Sequence, residues 1–119
     1  MTELDITRIL LVDDHPMMRR GLRDLLELET DLEPVGEAGS GPDAIRLATE
    51  LEPDLILLDV EMPGMDGYEV FGHLSADDST RSIPVIFVTG HSDPEQCKKG
   101  LDLGAKGFLT KPVEPAVVL

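Results

Sequence analysis

Leu55-Ile56-Leu57-Leu58-Asp59 is a run of four aliphatic residues closed by one carboxylate. A strand with one wet face alternates apolar and polar side chains. An unbroken apolar run of this length reads instead as a strand buried on both faces, the pattern of a parallel sheet covered by helices. Three more stretches share the design: Leu10-Leu11-Val12-Asp13-Asp14, Val85-Ile86-Phe87-Val88-Thr89 and Gly107-Phe108-Leu109-Thr110-Lys111. In an open parallel sheet the ligand sits at the carboxyl ends of the strands. Asp13, Asp14, Asp59, Thr89 and Lys111 are therefore expected to converge on one pocket. Such a set can hold a divalent cation and grip a phosphoryl group.

The segments between these runs have helical spacing. The first strand spans 8–13. Pro16 opens a helix, a favoured place for proline, and Met18, Leu22, Leu25 and Leu26 form its apolar stripe. A weaker second strand covers about 34–38, with Gly36 inside it. Ser40-Gly41-Pro42 starts a helix whose stripe is Ala44, Ile45, Ala48 and Leu51, and Pro53-Asp54 ends it. Pro63-Gly64-Met65-Asp66-Gly67 is a turn-rich loop before a helix from about Tyr68 to Leu74. Asp93-Pro94 caps a helix reaching about Leu103, with Gly104 as its left-handed terminator. Glu114-Pro115-Ala116-Val117-Val118-Leu119 begins a fifth helix that the sequence leaves incomplete. A longer natural chain is expected to complete it, to carry an output domain, or both. The fold expected is α/β, a doubly wound five-stranded parallel sheet forming one domain over 1–119 with its last helix truncated.

A chain of 119 residues with 41 % apolar content has room for one core and not two. No apolar run is long enough to cross a membrane. The start, Met1-Thr2-Glu3-Leu4-Asp5, lacks the basic opening of a signal peptide, and Cys97 is the one cysteine. Both point to a cytoplasmic protein. The formal charge of −14, from 24 acids against 10 basic residues, argues against direct nucleic-acid contact. Arg19-Arg20-Arg23 and Lys98-Lys99 read as solvated helix faces, with a docking surface for an acidic partner as the alternative.

Asp13 and Asp14 are adjacent carboxylates that repel each other, and a hard cation relieves this. Magnesium takes a few carboxylates together with waters and phosphate oxygens. A helix N-cap at Asp14 is the rival reading. Asp59, opposite them, suits a phosphoryl acceptor; a loop cap is the plainer role. Thr89 offers a hydroxyl at a strand end, and Lys111 an ammonium before Pro112. A cis Lys111-Pro112 peptide would aim that lysine inward.

Val12-Asp13-Asp14-His15-Pro16, the run from Asp59 to Gly67, Thr89-Gly90 and Lys111-Pro112 together resemble the receiver domain of two-component response regulators. The resemblance spans 8–119. It implies a flavodoxin-like sheet of order 2-1-3-4-5, the order of the chemotaxis receiver that serves as the standard example of this topology. It implies that Asp59 accepts a phosphoryl group from a histidine kinase or phosphotransfer protein. It also implies Mg2+ (or Mn2+) held by Asp13, Asp14, Asp59 and the Glu61 backbone carbonyl. Lys111 would contact the phosphoryl group, Thr89 would move toward it, Phe108 would turn inward with Thr89, and Gly90 would leave room beside it. Glu61 and His91, each two residues past a key position, are expected to tune the lifetime of the phosphoryl group; solvent-exposed loop side chains are the alternative. His15 and His73 are expected on a loop and a helix surface, and Met17, Met18, Met62 and Met65 as packing residues.

The function implied is a phosphorylation-activated switch, with homodimerisation or release of an output module as its readout. An aspartate-nucleophile phosphatase would want a second aspartate where Glu61 stands. A flavin carrier would want a Ser/Thr/Gly-rich first loop where Asp14-His15-Pro16 stands. A receiver that binds partners without phosphorylation is the closest rival. For the output, Gly21-Leu22 and Gly36-Glu37-Ala38 are similar to receivers joined to helix-turn-helix domains. Thr110-Lys111-Pro112-Val113-Glu114-Pro115 looks more like receivers of cyclic-dinucleotide enzymes or hybrid kinases.

Overall fold

The computed structural model describes residues 5–90 and 94–110. Strands and helices alternate: β1 (Thr7–Val12), α1 (Pro16–Glu27), β2 (Leu32–Ala38), α2 (Gly41–Leu51), β3 (Leu55–Asp59), α3 (Gly67–Ala76), β4 (Val85–Thr89), α4 (Pro94–Leu103) and β5 (Gly107–Thr110). All four strand pairings are parallel, and the order is β2-β1-β3-β4-β5. Three of the four apolar runs are the interior strands β1, β3 and β4, as their continuity requires, while the fourth is the edge strand β5, where Leu109 and Thr110 are exposed.

Period-2 alternation divides each run between two cores. Leu10, Val12, Ile56, Leu58, Val85 and Phe87 face one side, where Ala44 and Ala48 of α2 and Val70 and Leu74 of α3 meet them. Ile9, Leu11, Leu57 and Val88 face the other, against Leu22 of α1. Each such aliphatic side chain contributes about 1.5–3 kcal/mol on full burial. All four aromatic residues gather on the first side. The rings of Tyr68, Phe71 and Phe108 lie 5.0, 5.7 and 5.6 Å from that of buried Phe87. Gly100 of α4 packs here because a Cβ would overlap the Phe108 ring.

Several boundaries differ from the sequence reading. β2 starts at Leu32 and includes Pro34, which an edge strand tolerates. Its register slips between Ile9 and Leu10, so Ile9 pairs with Pro34 and Leu10 with Gly36. α3 runs from Gly67 to Ala76 because Asp66 and Glu69 form a reciprocal capping box at its start. Met62 is buried, whereas Met17 is 87 % exposed and packs in no core. Gly104 has φ +115°, the left-handed terminator expected. The start of the expected fifth helix lies outside the described residues.

Candidate functional site

Three strand ends build the site. The Asp13 N–H donates to the Ala38 carbonyl (3.0 Å) and the Val60 N–H to the Val88 carbonyl (3.0 Å), so the sheet stays paired up to the residues that carry the chemistry. Asp13 and Asp59 are each 1 % exposed, and Thr89 likewise. One ligand atom from each of Asp13, Asp14, His15 and Asp59 lies within 4.8 Å of the others. Ligand oxygens at about 2.1 Å from one magnesium lie at most about 4.2 Å apart, so the carboxylates would draw closer together around such an ion. The donor set is oxygen-rich, as such an ion requires.

The first loop is pinned from two sides. Asp13 Oδ1 accepts from the His15 N–H at 2.8 Å, and the Asp13 carbonyl accepts from Arg19 Nη1 at 2.6 Å. His15 occupies the N-cap of α1 without a side-chain cap, so the N-cap reading of Asp14 does not hold. The imidazole turns to the acids, with Nδ1 3.2 Å from Asp13 Oδ1 and 3.1 Å from Asp14 Oδ1. Arg19 also pairs with Glu37 at 3.3 Å, and Arg23 with Glu37 at 2.9 Å and Glu27 at 3.4 Å. The two glutamates raise the Arg23 pKa above its usual value, Glu37 being the stronger cause. Arg20 and Arg23 lie on an exposed helix face, as do Lys98 and Lys99, in keeping with the solvated-face reading, while Arg19 is partly buried and braces the first loop.

The helix after the β3 loop, α3, is capped by Asp66 rather than by Asp59. The loop after β3 turns sharply and returns the Gly67 N–H to the Val60 carbonyl at 2.9 Å. Gly67 is required there, because a Cβ would overlap the Asp59 carbonyl oxygen. Glu61 is exposed, yet its carboxylate reaches across to β4. Oε2 accepts the Thr89 hydroxyl at 2.7 Å and Oε1 accepts the Gly90 N–H at 3.2 Å. A Cβ on Gly90 would meet nothing within 4 Å, so this glycine leaves open space beside the strand end. Phe108 is partly buried against Phe87. Lys111, His91 and the Lys111-Pro112 peptide lie outside the described residues.

Sequence reasoning reached Asp13, Asp14, Asp59, Thr89 and Gly90 through strand ends and motif spacing. It did not reach the turn of His15 toward the acids, the brace from Arg19 or the bond between Glu61 and Thr89. The Asp13-Asp14-His15 adjacency was a signal for the first. The Arg19 brace spans six positions with no motif to mark it, and the Glu61–Thr89 bond joins residues 28 positions apart.

Residues 9–119 match the response regulator receiver domain family. The chain belongs to that family. It is 42 % identical, over its whole length, to the nitrate/nitrite response regulator protein NarL of Escherichia coli and covers 54 % of that protein. The chain thus spans about half the length of the curated relatives it matches. Among solved structures it is similar to a two-component response regulator of the LuxR family from an Aurantimonas species (TM-score 0.85, 35 % identity, 94 % of this chain and 79 % of that one). It is also similar to a chain of the CheX-CheY-BeF3-Mg complex from Borrelia burgdorferi (TM-score 0.84, 26 % identity, 92 % and 81 %). This receiver domain has the flavodoxin-like fold that the sequence implied. Its acidic pocket suits a divalent metal. No described helix is long and apolar enough to cross a membrane.

Proposed function

We propose that this receiver is switched by transfer of a phosphoryl group to Asp59. The observation that carries the reading is the gathering of Asp13, Asp14 and Asp59 at one sheet edge, with the Thr89 hydroxyl on the adjacent strand end. An Asp59 oxygen attacks phosphorus, the bond to the donor breaks, and the leaving group departs with its electron pair. A histidine kinase or phosphotransfer protein is the donor, and the domain assists the transfer and its reversal. Mg2+, or Mn2+ in its place, would be held by Asp13, Asp14, Asp59 and the Glu61 carbonyl, and would offset charge on the transferring group. Lys111 would pair with a phosphoryl oxygen, Gly90 would leave it room, and Thr89 with Phe108 would carry the change to the α4–β5 surface. Glu61 and His91 would set how fast water removes the group.

The domain is one unit, expected in the cytoplasm, and its phosphorylation would control an attached module or a homodimer. The net charge of −14 gives no support to direct nucleic-acid contact. The similarity to a transcriptional regulatory protein of Bacillus subtilis favours a transcriptional output over the cyclic-dinucleotide kind. The phosphatase reading is not favoured, because the position two past Asp59 is a glutamate engaged with Thr89 and Gly90.

The test is intact-mass spectrometry after incubation with magnesium and acetyl phosphate. One magnesium-dependent phosphoryl adduct is expected on the wild type and none on Asp59→Ala. An adduct that persists in Asp59→Ala would move the acceptor elsewhere. No adduct in the wild type, with acetyl phosphate or a phosphorylated kinase, would favour the phosphorylation-independent receiver.

A further inference from the structure

We propose that Glu61 is a positioning residue that latches Thr89 in the unphosphorylated protein, by taking the hydrogen bonds that a phosphoryl oxygen on Asp59 would otherwise take. The proposal rests on the Asp59 reading above and adds a competitor within the chain.

The geometry is bidentate. One carboxylate oxygen accepts the Thr89 hydroxyl at 2.7 Å and the other accepts the Gly90 N–H at 3.2 Å. These two donors sit on consecutive residues at the end of β4, directly after Val88, which pairs with Asp59. A charged acceptor with two donors makes the strong kind of hydrogen bond. The side chain spans from the β3 loop to β4, although Glu61 itself is exposed and fills no core position. Burial therefore does not account for its placement, and the two hydrogen bonds do.

A threonine hydroxyl has one proton to donate. While Thr89 donates it to Glu61, it cannot donate it to a phosphoryl oxygen. The Gly90 N–H is limited in the same way. A phosphoryl group two residues away in sequence adds negative charge beside a carboxylate, and like charges disfavour each other. The Glu61–Thr89 bond and a Thr89–phosphoryl bond are thus mutually exclusive by donor count, and a phosphoryl group on Asp59 opposes the first by charge. The latch stabilises the resting position of Thr89 and weakens the hold on the phosphoryl group. This differs from guiding the hydrolytic water, because it acts on the resting state and exists before any phosphoryl group arrives.

Two readouts test it on the 119-residue chain. The first is the Thr89 methyl resonance in metal-free protein. It should move in Glu61→Ala relative to the wild type, toward its position in the wild type loaded with magnesium and beryllofluoride. The second is affinity for beryllofluoride with magnesium, a phosphoryl mimic on a carboxylate. Glu61→Ala should bind it about three- to tenfold more tightly, from the loss of a competing charged acceptor. Glu61→Gln, which keeps an acceptor oxygen but no charge, should fall between. A thermal melt of each variant controls for folding, and a merely structural role would lower the melting temperature without tightening binding. Coincident metal-free Thr89 signals, or equal or weaker beryllofluoride affinity in Glu61→Ala, would overturn the latch. A wild type that takes no beryllofluoride, even with saturating magnesium, would overturn the Asp59 reading and the competition with it. The metal-free Thr89 signal would then still decide whether Glu61 holds the hydroxyl.

Discussion

Outside the two cores, several side chains in this domain are held by short polar contacts. Asp77 closes α3, and its Oδ1 accepts the Ser79 N–H at 2.8 Å and the Ser79 hydroxyl at 2.7 Å. The backbone bond, then the hydroxyl, hold the Asp77 carboxyl below the ordinary aspartate value. A group with a depressed folded pKa contributes stability above its unfolded pKa and loses it as pH falls through the folded one. A carbon-detected titration should place the Asp77 midpoint below the ordinary aspartate value, and Ser79→Ala should move it partway back. An unshifted midpoint would show that the turn does not persist in solution. The Glu61 carboxylate belongs to the same scale. Its partners lie 28 and 29 positions ahead in the chain, so no local pattern announces them.

Among the elements, the β3–α3 connection does most to fix the site. Asp66 and Glu69 start α3 by accepting each other's backbone N–H, at 2.9 and 3.1 Å. Gly67 lets the helix start press against the Asp59 carbonyl. A methyl group there must push the loop away from β3, since its nearest neighbours are backbone atoms of Asp59 and Val60. Gly67→Ala is therefore expected to cost about 2–3 kcal/mol in denaturant unfolding, in the range of overpacked cores. Gly72→Ala, in the middle of the same helix with open space around it, should instead gain up to about 1 kcal/mol. Equal effects at the two positions would mean that helix propensity, and not the approach to Asp59, governs this element. The elements themselves were legible from apolar runs, Pro16, Ser40 and Gly104. The extra residues of α3 and β2 were not, because the capping box was unread and the slip at Ile9/Leu10 depends on pairing with β1.

For the whole molecule, carboxylate clustering opposes folding until a cation arrives. Asp59 comes within 4.8 Å of Asp13 and Asp14 only when β1 and β3 pair, so its repulsion with them is absent from the unfolded chain. Whatever binds the folded state alone stabilises it by mass action, by about 2.7 kcal/mol at a hundredfold excess over Kd. Magnesium should raise the unfolding midpoint of the wild type. Asp14→Asn should be more stable than the wild type in chelator, by about 0.5–1 kcal/mol as one like charge is removed, and should gain much less from magnesium. Denaturant unfolding with and without magnesium measures both. An Asp14→Asn protein that gains as much as the wild type would remove Asp14 from the metal site.

What the sequence determined by itself was the buried parallel sheet and the list of strand-end residues. Continuous apolar runs, helical spacing and breakers are local properties of the chain, and they limit the fold before any long-range contact forms. The spacing of Asp13-Asp14, Asp59 and Thr89-Gly90 carried the family, which the match over 9–119 then showed. Tertiary structure alone decided what each group faces. It tied Arg19 and Arg23 to Glu37, left Met17 in solvent and laid Glu61 across Thr89 and Gly90. The physical reason is that a polar side chain's partner is set by distance in space. Strand pairing fixes that distance between residues the chain keeps far apart, and no local pattern encodes it.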